Sequence, residues 1–275
     1  MSDRGLPDPA TLEADAPAYY RRTGPTTFRP TLRAQGAWQP GEQHMAALTG
    51  LLTSAVLQHE PGPELQPARL TFEILGLIPA LETTVTVRTL RPGRTIELVG
   101  ADAEVAGRPV VRARVWRLAT VDTAEVAGGA GAPLPAPQEL PPADPSRYWP
   151  GGFIASLDVR AERAPGEGRN RAWLRARPAL VADEEVADLA RLMGLVDAAN
   201  GLGCRVDPRR WMFPNTDLTV HLHRLPTGDR LGLDTEQVVG PTGLGLTSSV
   251  LHDRHGPVGR AEQVLTVRRL PAATG

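Results

Sequence analysis

The pattern of apolar and polar positions divides the chain into helical and strand-like stretches. Leucine, alanine and valine recur at intervals of three and four residues between Leu48 and Val56, and a Pro-Gly-Pro sequence at 61–63 ends the pattern. This spacing predicts one long helix over about 42–58. Four strand-like runs follow it, at 68–75, 82–90, 95–104 and 109–118.

The second half of the chain repeats this order. Strand-like runs near 152–162 and 171–177 precede a helical pattern over about 183–200, and four more runs follow at 216–224, 230–239, 244–252 and 258–269. A helix followed by four antiparallel strands, present twice, predicts an α+β protein. In this fold, two antiparallel sheets are each wrapped around a long central helix.

Two short matches at one offset indicate that the strand-rich unit is duplicated. Residues 70–74 align with 218–222, and 109–113 align with 257–261. Both pairs are 148 residues apart, since 218 − 70 = 148 and 257 − 109 = 148. Unrelated strands would not keep one register across a sheet. We therefore expect residues 70–74 and 218–222 at equivalent places in the fold.

Composition changes before and between these units. Residues 120–147 are rich in alanine, glycine and proline, which predicts an external linker. Residues 1–16 are rich in proline, aspartate and alanine, and we expect them to form a disordered lead-in. The predicted organisation is an N-terminal unit at 17–119 and a C-terminal unit at 148–275.

Charge and residue usage exclude several partners and chemistries. The net charge of −1 gives no basis for binding nucleic acid or an anionic membrane surface. All 30 basic residues are arginine, which excludes lysine Schiff-base chemistry. The single cysteine, Cys204, cannot form an intrachain disulfide, and no Cys/His cluster has metal-ligand spacing, so neither a metal nor a cofactor is predicted. The N-terminus has no apolar signal core, and the longest uncharged apolar stretch, 45–57, is too short to span a bilayer. These features predict a soluble, cytoplasmic protein.

One carboxylate falls on a helix face that is otherwise apolar. Asp197 continues the stripe of Leu189 and Met193 on the 183–200 helix. A carboxylate that faces the sheet near a helix C-terminus has a raised pKa, which suits a general base near neutral pH. The alternative is that the helix end frays and leaves Asp197 in solvent.

An amide stands out in the same way on the last strand. By period-two alternation, Gln263 shares a face with Ala261 and Leu265. The residue 148 positions earlier is Val115, which shows what a purely structural residue looks like there. This difference favours a functional role for Gln263 over a satisfied core amide.

Other polar residues have plainer interpretations at this stage. Asn215 and Thr216 follow Pro214, and a turn-and-cap cluster explains them at least as well as a site does. His221 and His223 share one strand face, which favours solvent exposure over zinc binding because no third ligand is in view.

Together these residues resemble a known family. The run NTDLTVHLHR at 215–224, a Gly-rich hairpin, LHDRHGPVGRAEQVLTVRR at 251–269, and the pattern of Trp38, Gln43 and His44 are similar to the acyl-CoA thioesterase II-like, double-hotdog members of the thioesterase superfamily, especially actinobacterial ones. The resemblance covers almost the whole chain. It implies a double hotdog that hydrolyses an acyl-CoA thioester and forms a homo-oligomer.

The resemblance also implies roles for particular residues. In that family an Asp on the second-half helix, a Ser or Thr at the start of the following strand and a Gln on the last strand hold the attacking water. These roles fall on Asp197, on Asn215 with its neighbour Thr216, and on Gln263. Because Asn215 departs from the family pattern, the resemblance predicts that the substitution Asn215→Thr raises turnover.

The start of the first helix carries the expected substrate contacts. By resemblance, Gln43, His44 and Met45 bind the substrate, helix N–H groups stabilise the oxyanion, and the acyl chain lies between the two helices. Met45 and Ala46 stand where the family has Gly-Gly, and their side chains narrow the approach to those N–H groups. The alternative function is therefore an acyl-CoA-binding protein with weakened hydrolysis. A dehydratase is disfavoured, since the second-half helix has no histidine.

Overall fold

Four α-helices occur in the part of the chain that the computed structural model describes, residues 6–60 and 65–270. They are α1 (Met45–Gln58), α2 (Gly152–Ala155), α3 (Asp188–Val196) and α4 (Ala199–Leu202). Within these described ranges, no helix is long and apolar enough to cross a membrane.

The strands of the described ranges form one large sheet and one small one. They are β1 (Ala18–Arg22), β2 (Thr27–Pro30), β3 (Leu65–Ile74), β4 (Thr83–Arg91), β5 (Ile96–Val105), β6 (Arg108–Ala119), β7 (Pro142–Ala143), β8 (Leu157–Ala161), β9 (Arg169–Ala176), β10 (Ala179–Val181), β11 (Trp211–Met212), β12 (Asp217–Leu222), β13 (Leu231–Val239), β14 (Leu244–Asp253), β15 (Gly256–Thr266) and β16 (Arg268–Arg269). The large sheet has 14 strands in the order β10-β1-β2-β4-β5-β6-β3-β12-β15-β14-β13-β9-β8-β7, and β11 pairs with β16. Among the strands of residues 6–60 and 65–270, only β1 and β10 pair in parallel.

The two halves join edge to edge through β3 and β12. Their antiparallel register pairs Thr71 with Thr219 and Leu70 with Val220. Thr71 and Thr219 are also equivalent by the sequence repeat, since 219 − 71 = 148, so an approximate two-fold axis passes between them. The two predicted sheets are therefore joined edge to edge into one continuous sheet, because each edge strand satisfies the free backbone groups of the other.

The 148-residue offset also holds in the strand pairing. Val99 pairs with Val115 in the first half, and Thr247 pairs with Gln263 in the second. Each second-half residue lies 148 positions after its first-half counterpart. Residues 70–74 and 218–222 thus occupy equivalent places in the sheet, as the repeat predicted.

α1 and α3 pack against each other and against the sheet, and they touch through glycines. A Cβ added to Gly50 would lie 3.0 Å from the Cα of Gly194 and 3.0 Å from the carbonyl oxygen of Ala190. A Cβ on Gly194 would lie 3.7 Å from the carbonyl oxygen of Ala46. These reciprocal contacts show that equivalent positions of the two helices lie 144 residues apart in the sequence, since 194 − 50 = 144 and 190 − 46 = 144. The expectation of an acyl chain between the two helices is wrong at this crossing, because the backbones leave no room for one.

The second central helix differs most from its predicted bounds. α3 begins only at Asp188, since Asp183 at the predicted start has a positive φ of 60° and cannot be helical, and it ends at Val196 rather than near residue 200. The N–H of Ala198 bonds to the carbonyl of Leu195, three residues back, so the chain tightens at Asp197 before α4 continues it. The predicted strand at 152–162 likewise begins as a helix, α2.

The lead-in and the linker both contact the repeated units. Residues 1–5 of the expected lead-in lie outside the described ranges, whereas Pro9–Thr11 form a 3₁₀ turn and Ala16 is buried. In the linker, Pro142–Ala143 add strand β7 to the sheet, and the carbonyl of Pro135 accepts the indole N–H of Trp173 at 2.8 Å. Parts of both segments are therefore fixed by hydrogen bonds, which their compositions did not predict.

Candidate active site

Polar side chains from both halves meet where α1 begins and α3 ends. His44 is the N-cap of α1, and Asp197 is the C-cap of α3. Asn215 lies just before β12, and Gln263 lies on the inward face of β15 with 1% of its surface exposed. The fused sheet and the helix contact place all four side chains around one point.

One oxygen of the Asp197 carboxylate is held by two amides. Asn215 Nδ2 donates to Asp197 Oδ1 at 2.8 Å, and Gln263 Nε2 donates to the same oxygen at 2.9 Å. Asn215 Nδ2 also donates to the carbonyl of Asp217 at 3.0 Å, which fixes the orientation of its amide. Gln263 thus contacts the carboxylate itself, a direct bond that the predicted shared water did not include.

The other carboxylate oxygen faces the His44 ring. Asp197 Oδ2 lies 3.7 Å from His44 Nδ1, which is too long for a hydrogen bond. His44 Nδ1 accepts the N–H of Ala46 at 3.1 Å, and this bond occupies its only lone pair. The ring itself stacks on Phe153, with 4.2 Å between the ring centroids. Asp197 Oδ2 accepts no hydrogen bond from the described residues, so it is the acceptor to which a water would donate.

Burial sets the charge of this pair. Burial raises the pKa of Asp197 to about 6, although the hydrogen bonds from Asn215 and Gln263 oppose that rise. Burial also lowers the pKa of His44 to about 3. At neutral pH the pair is therefore a carboxylate beside a neutral imidazole and not an ion pair. Only 7% of Asp197 is exposed, so the alternative of a solvated Asp197 does not hold.

Asp197 lies between two cavities of very different size. The outer cavity has a volume of about 670 Å³, and its lining includes Gln43, Met45, Ile78, Thr216 and Arg268. The inner cavity has a volume of about 50 Å³, and its lining includes Trp149, Ile154, Leu157, Gly201 and Phe213. Both are also lined by Trp38, His44, Asp197 and Asn215. Asp197 thus borders both the large outer cavity and the small inner cavity.

The inner cavity has a rigid aromatic wall. Trp38 and Trp149 meet edge to face with ring centroids 5.1 Å apart, and each ring lies 5.4 Å from the Phe213 ring. Aromatic residues make up only 4% of the chain, so three of them in one wall is a strong concentration. Sequence reasoning identified Trp38 but missed Trp149 and Phe213, for which this scarcity was the only signal.

A buried polar network supports the second-half part of the site. Gln237 Nε2 donates to Asn200 Oδ1 at 3.1 Å and to Thr247 Oγ1 at 3.1 Å. Asn200 Nδ2 in turn donates to the carbonyl of Phe213 at 3.0 Å. This network ties α4, which follows Asp197 directly, to the sheet. No sequence pattern distinguished these amides from surface ones.

Several predicted residues have other surroundings than expected. Gln43 accepts the hydroxyl of Tyr20 at 2.8 Å and donates to Thr83 Oγ1 at 2.9 Å, so its amide is used within the first half. Thr216 is exposed in the outer cavity and makes no hydrogen bond to Asp197 among the described residues. His221 and His223 are exposed. In the ranges that the structure covers, no cluster of His, Cys, Asp and Glu is arranged to hold a metal ion.

The sequence of each half matches one domain of a single family. Residues 34–118 match the acyl-CoA thioesterase N-terminal domain, and residues 135–267 match the acyl-CoA thioesterase C-terminal domain. Together the two matches cover well over half of the chain. This chain belongs to the acyl-CoA thioesterase family. No curated protein matches it in sequence.

Solved structures of similar fold include members of the same family. A putative thioesterase II of Thermobifida fusca aligns over 96% of this chain and 98% of its own, with 17% identity and a TM-score of 0.67. An acyl-CoA thioesterase II of Mycobacterium marinum aligns over 93% and 97%, with 17% identity and a TM-score of 0.64. A hot dog fold protein of unknown function from Alicyclobacillus acidocaldarius aligns over 94% and 98%, with 14% identity and a TM-score of 0.71. These likenesses show an α+β hotdog fold.

Proposed function

We propose that this member of the acyl-CoA thioesterase family hydrolyses an acyl-CoA thioester, with Asp197 as the general base. The observation that carries this proposal is the set of contacts around the Asp197 carboxylate. Two amides hold Oδ1, while Oδ2 faces the His44 ring, and the residue borders both cavities. A pKa of about 6 leaves this carboxylate ionised at neutral pH yet basic enough to accept a proton.

The reaction needs only water and the thioester. A water bound to Asp197 Oδ2 gives one proton to Oδ2 as its oxygen attacks the thioester carbonyl carbon. The tetrahedral intermediate then collapses, the C–S bond breaks, and the proton on Asp197 passes to the leaving thiolate. The products are a carboxylic acid and the free thiol of CoA, and Asp197 returns to its ionised form.

The N-terminus of α1 supplies the donor for the oxyanion. The first N–H groups of a helix lack intrahelical acceptors. Here the N–H of His44 bonds to the carbonyl of Ala34, and the N–H of Ala46 bonds to His44 Nδ1. Met45 lines the outer cavity, and its N–H, at the positive end of the helix dipole, is the donor that stabilises the developing negative charge.

The two cavities divide the substrate between them. The outer cavity has a volume suited to the pantetheine arm of CoA, and Arg268 at its lining offers a positive charge to the CoA phosphates. The inner cavity takes the acyl group.

A cytoplasmic location and a homo-oligomer stay predictions.

Release of the thiol tests the proposal directly. Purified protein is mixed with acyl-CoAs of two to sixteen carbons, and free thiol is measured with a thiol-reactive dye. We expect turnover with the wild type and almost none with Asp197→Asn. Equal turnover by the two proteins would rule out Asp197 as the base.

A catalytically weakened acyl-CoA-binding protein is the second candidate. The observation that favours it is that Ala46 N–H, one of the helix donors, already bonds to His44. If this occupied donor prevents catalysis, thioether analogues of acyl-CoA will bind while acyl-CoAs release no thiol. A dehydratase gains no support, because an imidazole with a pKa of about 3 is a poor base.

A further inference from the structure

The inner cavity contains a buried donor without an acceptor. Trp149 is 6% exposed, and its indole Nε1 has no hydrogen-bond partner among the described residues. A buried indole N–H usually has a partner. Trp173 in the same half shows this, since its Nε1 donates to the carbonyl of Pro135 at 2.8 Å. The unpaired N–H of Trp149 therefore calls for an acceptor from elsewhere.

A glycine packs against the face of the same indole ring. A Cβ built on Gly201 of α4 would lie 3.2 Å from Nε1, 3.4 Å from Cε2 and 3.8 Å from Cδ1 of Trp149, which is over the ring and not in line with the N–H. Gly201 does not have a positive φ, so its backbone conformation does not require glycine. Glycine here lets α4 pack closely against the indole on the wall of the inner cavity, without supplying an acceptor to its N–H.

The cavity is also small. A water-sized group needs on the order of 10–15 Å³ of such space. The volume of about 50 Å³ therefore admits only a few non-hydrogen atoms beyond the thioester carbonyl at Asp197. Trp38, Trp149 and Phe213 line it, and these rings contact one another edge to face.

From these observations we infer that the acyl group is short and carries a hydrogen-bond acceptor oxygen, a keto or hydroxyl group, that binds Trp149 Nε1. This inference rests on the proposed function, because Asp197 marks where the thioester lies. A plain alkyl chain would fill the same space but leave the indole N–H unpaired, so it binds less well.

Matched pairs of substrates separate the acceptor from chain length. Thiol release is measured with butanoyl-CoA against 3-oxobutanoyl-CoA, and with pentanoyl-CoA against 4-oxopentanoyl-CoA, with dodecanoyl-CoA as the long chain. At least one oxo compound should exceed its plain partner about tenfold in kcat/KM, the effect of one hydrogen bond. The long chain should be the poorest substrate.

One variant removes the donor. Trp149→Phe keeps an aromatic ring without the N–H. It should bring the ratio of kcat/KM for the oxo compound to kcat/KM for its plain partner down to about one, whatever its effect on the plain chain. Trp173→Phe is the matched control, since it loses an indole N–H outside both cavities, and it should keep the preference. Thermal unfolding checks that each variant folds.

Binding distinguishes failure of this inference from failure of the proposed function. The Kd values of S-butyl-CoA and S-(3-oxobutyl)-CoA, and of S-pentyl-CoA and S-(4-oxopentyl)-CoA, which cannot be hydrolysed, are measured by calorimetry with the same proteins. A preference for an oxo analogue that Trp149→Phe removes, without any thiol release, would overturn hydrolysis and sustain this inference. Hydrolysis that favours plain or long chains, or a Trp149→Phe variant that slows all substrates equally, would overturn this inference alone. No binding and no hydrolysis would overturn both.

Discussion

The two halves of this protein share one strand register, yet the carboxylate and the two amides proposed to act in catalysis all lie in the second half. Positions 148 apart in the sheet are Val99 and Thr247, and Val115 and Gln263. Positions 144 apart in the central helices include Thr53 and Asp197, because the glycine contact relates those helices by that offset. In the two strand pairs the polar member, Thr247 or Gln263, lies in the second half. In the helix pair the ionisable Asp197 lies in the second half, and its first-half equivalent is Thr53.

The place that mirrors the site has become structural. In the second half of α1, Thr53 Oγ1 donates to the carbonyl of Thr49 in its own helix at 2.8 Å. At the start of α3, Asp188, which is 144 residues after His44, bonds to Arg191 and to the N–H of Gly228. These groups are satisfied by near neighbours. The comparison teaches that equivalent positions of the two halves differ: in the first they are apolar or bonded within their own helix, and in the second a buried carboxylate and a buried amide bond to each other.

The largest expected effect comes from making Asp197 unable to accept a proton. Asp197→Asn should lower kcat on the order of 10³-fold, the usual contribution of a general base. Thr53→Val, the change at the equivalent helix position, should leave kcat unchanged. Thiol release at pH 8 measures both. Similar losses in the two variants would show that the halves do not differ in the way the comparison states.

The same substitution should have the opposite effect on stability. The pKa of Asp197 is raised to about 6 from 3.8, so the folded protein binds this proton more tightly than the unfolded chain does. Its stabilising contribution is complete below about pH 4 and is lost as the pH rises through 6, and the shift corresponds to at most about 3 kcal/mol. Asp197→Asn does not titrate, so its free energy of unfolding should rise relative to wild type between pH 5 and pH 8. Urea unfolding at both pH values measures this, and a constant difference would contradict it.

Exchanging the strand residues between the halves tests the sheet part of the comparison. Gln263→Val should lower kcat about 10²-fold, as loss of a positioned polar contact does. It should also shift the pH profile upward, because the amide lowers the pKa of Asp197. Val115→Gln should instead cost about 1–3 kcal/mol of stability by burying an unpaired amide. Activity per folded molecule should not change in Val115→Gln, and a loss there would break the comparison.

The smallest expected change in turnover is that of Asn215→Thr. Resemblance to the family predicts that Asn215→Thr raises turnover, whereas the geometry predicts a fall of about tenfold. One nitrogen of Asn215 donates both to Asp197 Oδ1 and to the carbonyl of Asp217, and a hydroxyl has a single hydrogen. Single-turnover rates with the best acyl-CoA decide between the two. A rise would mean that Asn215 is a weakened replacement for the family residue.

The sequence predicted the fold best where apolar residues alternate regularly and where the chain repeats itself. The offset of 148 residues predicted equivalent strands, and alternation on β15 predicted the buried Gln263. The joining of the halves through Thr71 and Thr219 was not predictable, because an edge strand has the same pattern whether it faces solvent or another edge. The pairing of β1 with β10 was equally hidden, since it links residues far apart in the chain.

Sequence reasoning selected residues that the structure brings together, but not the contacts between them. Family resemblance and polarity selected Asp197, Asn215 and Gln263 as candidates. That Gln263 bonds directly to Asp197, or that the His44 ring lies beside it, depends on side-chain geometry that no spacing encodes. Trp149 was missed because an aromatic residue in a loop after a linker has no periodicity to interpret.

The edge-to-edge join of β3 and β12 has a consequence for how the protein responds to dilution. The site takes His44 from one half and Asp197 from the other, so it exists only while the halves are associated. In a dimer of two separate chains, that association would weaken as the protein became dilute. Here residues 120–147 link the halves covalently, so the association is intramolecular and its effective concentration is fixed by the linker. The site therefore stays assembled at any protein concentration, however scarce the protein is.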